Sequence, residues 1–123
     1  MSSSATTSKE SALPRLRWAW DFGPLLGDVD TGRLLALLTA VAEEGALGNA
    51  SKRAGMSYRS AWGLLRDCEQ ALGAPLVVME RGRGTQLTKF GASLVQLDAA
   101  ARVALETVHA PWQRRLEELL APV

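Results

Sequence analysis

Residues 57–62 (SYRSAW) put two serine hydroxyls, a phenol, a guanidinium and an indole within six consecutive positions. Catalysis would need partners that the chain lacks. His109 is the single histidine and Cys68 the single cysteine, so no Ser/His/Asp arrangement, multi-Cys zinc site or internal disulfide framework can be assembled. Glu43 and Glu44 are sequence neighbours at a helix end, where their carboxylates point apart, and no glycine loop has phosphate-cradling spacing. The expectation is no enzyme, no metal and no cofactor. What Ser57, Tyr58, Arg59, Ser60 and Trp62 can do is donate hydrogen bonds outward, and a guanidinium fork pairs bidentately with a phosphate or a guanine edge. Arg66 follows on the same segment. Lys52 and Arg53 precede it, and Arg81, Arg83 and Thr85 lie in a second polar stretch, RGRGT at 81–85.

Presenting these groups requires particular elements. Ser57 predicts the N-cap of a helix over 58–72, ended by Gly73 and Pro75. Ala61, Leu64, Leu65, Cys68 and Leu72 share one face of it. Arg59, Gly63, Arg66 and Gln70 share the opposite face, with Trp62 at the border. Cys68 is therefore expected as an inert core thiol. Upstream, Asp30 predicts the cap of a helix over 31–44 with apolar positions Leu34, Leu37, Leu38 and Val41, and Gly45 stops it. A short helix over 48–54 ends at Gly55, and Ala50, Ala54 and Ala61 are small where two helices would cross closely. LVVM at 76–79 reads as a strand, 81–85 as a tight turn, and a return strand begins at Gln86. The alternation of Leu16, Trp18, Trp20 and Phe22 predicts a further strand over 15–22.

Thr88 predicts the cap of a last long helix over 89–109. Phe90, Leu94, Leu97, Ala101, Ala104 and Val108 recur at alternating spacings of four and three, the seam of a helix that meets a partner helix. Pro111 is expected to interrupt it before a short helix over 112–120. The domain organisation so read is a disordered tail over 1–14, a main domain over 15–88, and a dimerisation helix with a short terminal helix over 89–123.

The 123 residues carry a net charge of only +1, yet charge is segregated. Residues 21–44 sum to −4 and residues 52–89 to +4, as expected when one face meets phosphate. The Ser/Thr-rich start lacks a signal peptide's basic and apolar regions, and no apolar run approaches a membrane span. A cytoplasmic location with no membrane partner follows as an expectation.

Two short helices joined at a glycine, followed by a hairpin with a basic tip, suit the major groove of duplex DNA, about 12 Å wide. Residues 45–77 (GALGNASKRAGMSYRSAWGLLRDCEQALGAPLV) resemble the N-terminal domain of the molybdate-responsive ModE regulators, most specifically in SYRSAW. Residues 71–91 (ALGAPLVVMERGRGTQLTKFG) are similar to the DNA-binding domain of LysR-type regulators. The resemblance covers roughly residues 15–109. It implies a mainly α fold, a winged helix-turn-helix whose small sheet joins an N-terminal strand to the wing hairpin, and a homodimer formed through the long helix. It further implies sequence-specific binding of double-stranded DNA in bacterial transcription regulation. The alternative is a winged-helix module that docks a protein. The wing is shorter and less glycine-rich than in ModE, and the chain stops at Val123, so no small-molecule effector site is expected in it.

Overall fold

A computed structural model describes residues 14–122, so the tail expected over 1–14 lies, apart from Pro14, outside the described residues. The chain divides into two compact units. One is Ala19–Ala101; among the described residues the other comprises 14–18 and 102–122.

In the larger unit, α1 (Thr31–Glu44) starts where the Asp30 carboxylate accepts the Arg33 N–H at 3.2 Å, and it stops at Gly45, whose φ of 71° is left-handed. α2 (Leu47–Arg53) follows, and then α3 (Tyr58–Leu72), capped by the Ser57 hydroxyl accepting from the Ser60 N–H at 3.0 Å. β1 (Val77–Glu80) and β2 (Gly84–Leu87) form an antiparallel hairpin, with Val77 opposite Leu87 and Glu80 opposite Gly84. Thr88 begins α4 (Lys89–Leu120): its hydroxyl accepts the Gly91 N–H at 3.0 Å and donates to the Pro75 carbonyl at 2.8 Å.

The helical spacing read from the sequence produces one core. Leu34, Leu37, Leu38 and Val41 of α1 meet Leu47 and Ala50 of α2, Ala61, Leu65 and Cys68 of α3, and Leu76 before β1. Each large aliphatic side chain so buried contributes roughly 1.5–3 kcal/mol. Leu94 also packs against this core, so that member of the expected seam serves its own domain.

Two expectations fail. Residues 15–22 form no strand, and among the described residues the sheet has two strands. Leu16, Trp18 and Trp20 find side chains of α4 instead of a sheet edge, and Phe22 packs against the core. In the larger unit the Trp20 indole donates to Asp98 Oδ1 at 3.0 Å. In the smaller unit Gln113 occupies the place of a sheet neighbour: Oε1 accepts the Leu16 N–H at 2.5 Å, and Nε2 donates to the Pro14 carbonyl at 2.6 Å. There, too, the Arg102 guanidinium lies 5.5 Å from the Trp18 ring centroid. Nor does Pro111 break the last helix, which runs on to Leu120. Proline removes one backbone donor, and the good helix formers on either side (Ala, Leu, Glu, Arg) sustain the helix through it.

Candidate nucleic-acid interface

The first turn of α3 projects away from the core. Ala61, Leu65 and Cys68 are fully buried, whereas Arg59, Ser60 and Arg66 are exposed and Tyr58 is 51% exposed. Trp62 is half-buried and packs against the core. Its ring meets that of Tyr58 edge to face, with centroids 6.4 Å apart and planes at 79°. Such a contact restricts Tyr58 at the start of the helix. Ala50 and Ala61 are both fully buried, consistent with α2 and α3 approaching closely. Tyr58 also lines a cleft with Leu47 and Gly48 of α2 and Met79 and Arg81 of the wing. The helix and the wing tip thus border the same surface.

The basic residues differ in how they are held. Among the described residues no ion pair engages Lys52, Arg59, Arg66 or Arg81. Arg83 reaches Glu80 only at 3.7 Å, with both side chains largely exposed. Arg53 is tied instead to Glu43 at 2.8 Å and to Glu44 at 2.9 Å, so the two carboxylates, expected to point apart, converge on one guanidinium.

Thr85 is a correction. It is 4% exposed, and its hydroxyl accepts the Leu47 N–H at 3.2 Å while its own N–H donates to the Gly45 carbonyl at 2.9 Å. Ala46, the residue before α2, has no side chain able to cap that helix, so β2 supplies the cap. Thr85 therefore locks the wing to the α1–α2 turn, and its hydroxyl is spent on that contact, at the floor of the cleft lined by Tyr58 and Arg81. Gly84 permits this approach: a Cβ there would stand 2.3 Å from the Gly45 carbonyl oxygen, at a φ of 76°.

Glu69 was not anticipated. Its carboxylate accepts the Leu76 and Val77 N–H groups at 2.7 and 3.3 Å, fixing β1 to the end of α3. The available signal was an acidic residue on the half-buried border of α3 just before a Gly–Ala–Pro turn. Beside it, burial pushes the Cys68 thiol up to about 11, with Asp67 and Glu69 adding to the rise. The thiol is thus protonated at neutral pH, as a core residue should be.

On α4, Phe90 and Leu97 of the larger unit are 37% and 56% exposed, and Ala101 is half-buried. In the smaller unit Ala104 and Val108 are exposed. Among the described residues no group of three His, Cys, Asp or Glu side chains could hold a metal ion, and no helix is long and apolar enough to cross a membrane.

Comparison with known proteins agrees with this geometry. Residues 33–92 match the bacterial regulatory helix-turn-helix protein family, lysR family. The molybdenum transport protein ModE of Azotobacter vinelandii is 30% identical over 111 residues, covering 87% of this chain and 40% of that protein. The DNA-binding transcriptional dual regulator ModE of Escherichia coli strain K12 is 34% identical over 71 residues, covering 53% of this chain and 26% of its own length. The chain thus spans less than half of these relatives. Among solved structures, the DNA-binding domain of CbnR in complex with DNA superposes with a TM-score of 0.53 at 28% identity, covering 68% of this chain and 94% of that one. ArgP from Mycobacterium tuberculosis gives 0.52 at 31% identity, over 68% of this chain and 30% of that one. With its helix pair, its hairpin and these relatives, the segment 33–92 is a LysR-type regulatory helix-turn-helix in the winged, ModE-like form.

Proposed function

We propose that the protein is a sequence-specific, DNA-binding transcription regulator that acts in the cytoplasm and has no enzymatic activity. The observation that carries this reading is the chemistry of the exposed α3 surface. Tyr58, Arg59 and Ser60 stand at its first turn, and Lys52, Arg59, Arg66 and Arg81 have no carboxylate partner among the described residues. Cations that the fold leaves unneutralised suit a polyanion. In this account Arg59 pairs with a base edge in the major groove, helped by Ser57, Tyr58, Ser60 and Trp62. Lys52, Arg66, Arg81 and Arg83 meet phosphates.

We also infer a homodimer through α4. The apolar positions Phe90, Leu97, Ala104 and Val108 are exposed and recur at heptad-like spacing, with Ala101 half-buried between them. A second copy would supply the second recognition helix that a palindromic site needs, one helical turn of about 34 Å away.

Fluorescence anisotropy with a labelled random duplex, titrated in salt, tests the reading. If Lys52, Arg66, Arg81 and Arg83 each neutralise one phosphate, log K falls with log salt at a slope of about −3.6 per protomer. An affinity that does not depend on salt would contradict DNA binding and favour a protein-docking module.

A further inference from the structure

Arg53 is the one basic residue of the α2–α3 region whose charge is spent inside the domain. Its guanidinium bridges Glu43 at 2.8 Å and Glu44 at 2.9 Å, at the end of α1. All three side chains remain well exposed: 53% for Arg53, 50% for Glu43 and 32% for Glu44. Burial does not force this pairing, and water screens it, so the pair is weak enough to exchange partners. Its position matters as well. Arg53 ends α2, four residues before Ser57 and next to the unpaired Lys52. The two glutamates immediately precede Gly45, whose carbonyl holds the wing through Thr85. Two negative charges thus sit at the end of α1, beside the turn that anchors the wing.

We propose that Arg53 is a phosphate ligand held in reserve by Glu43 and Glu44, so that the carboxylate pair lowers the domain's affinity for duplex DNA of any sequence. This rests on the DNA-binding reading above. The two carboxylates engage both terminal nitrogens of Arg53, the pair an end-on phosphate contact uses, so a phosphate held there must displace at least one of them. When Arg53 stays on the glutamates, one phosphate keeps its counterions and the glutamates repel the backbone. One non-specific contact fewer raises the share of binding that comes from contacts that read sequence. Non-specific affinity is almost wholly electrostatic, so it is the quantity this device would restrain most.

The double variant Glu43→Gln and Glu44→Gln keeps size and hydrogen-bonding capacity while removing both charges. Wild type, the double variant, and the double variant carrying Arg53→Ala are titrated with random duplex across 50–200 mM salt, with thermal melting of each as the check on folding. The expected result is tighter binding by the double variant and a log–log slope steeper by about 0.9. The ratio of dissociation constants between 200 and 50 mM salt then grows by about 3.5-fold. Adding Arg53→Ala should return the slope to the wild-type value. An unchanged slope in a folded double variant overturns the proposal, and so does a gain that survives Arg53→Ala, which would be simple relief of repulsion. Should the double variant melt early, the single Glu43→Gln variant gives the same test with a smaller gain. A wild-type protein without salt-dependent binding would instead refute the DNA-binding reading itself, so the two failures are distinct.

Discussion

Replacing Thr85 with valine should uncouple the wing from the helix pair without opening a cavity. Valine has nearly the shape of threonine, so the packing of a side chain only 4% exposed is preserved. The 2.9 Å bond from its own N–H to Gly45 also survives, since it belongs to the backbone. What disappears is the acceptor for the Leu47 N–H, at the start of a helix whose cap position is an alanine. Leu47 is 2% exposed, so water cannot replace the lost partner. A buried donor left unsatisfied costs about 1–3 kcal/mol. At 4–8 °C per kcal/mol for a domain of this size, the midpoint should fall by roughly 5–20 °C. Circular dichroism melts of wild type, Thr85→Val and Thr85→Ser provide the assay. Serine keeps the hydroxyl and should recover most of the loss. If Thr85→Val melts with wild type, or Thr85→Ser melts as low as Thr85→Val, the hydrogen bond is not what joins the wing to the turn.

Other perturbations separate the remaining roles. Arg83→Ala should weaken binding to all duplexes about equally and reduce the salt slope by roughly one; altered preference at A·T-rich flanks with an unchanged slope would mean that it reads groove shape. Leu97→Glu places a charge on an apolar position 56% exposed, so the fold should survive while light scattering shows monomers and palindrome affinity drops; an unchanged mass and affinity would remove α4 as the interface. Cys68, its thiol raised from an ordinary 9.0 to about 11, should resist thiol reagents at pH 8 until the protein unfolds. Because the folded value lies above the unfolded one, the stability tied to the protonated thiol is complete below pH 9 and is lost as pH rises through about 11. Rapid modification of the native protein at pH 8 would contradict that burial.

The elements bounded by local signals were legible. α1 and α3 begin and end where Asp30, Gly45, Ser57 and Gly73 place them, because caps and left-handed glycines act within a single turn. The exposed set at the start of α3 was equally readable, since it is the complement of the apolar face of Ala61, Leu65 and Cys68. What could not be read lies in contacts between distant residues. Alternating Leu16, Trp18, Trp20 and Phe22 suit a strand or a strap equally well, and only partners such as Gln113 and Asp98, some 80–100 positions away, decide. Arg53 was grouped with the other cations because nothing local shows that it faces Glu43 and Glu44. Thr85 looked like part of a basic loop tip. The clue to its actual role was the uncapped start of α2 at Ala46, a donor that something else had to satisfy.

In the proposed complex the start of α3 reads base sequence. Selection from a randomised duplex pool, run in parallel with wild type and Arg59→Ala, tests it most directly. Wild type should enrich two half-sites about one helical turn apart. Arg59→Ala should lose preference at a single base pair within each, by about 1–3 kcal/mol, while the other positions hold. No enrichment by wild type, or the same preference at every position in the variant, would contradict it.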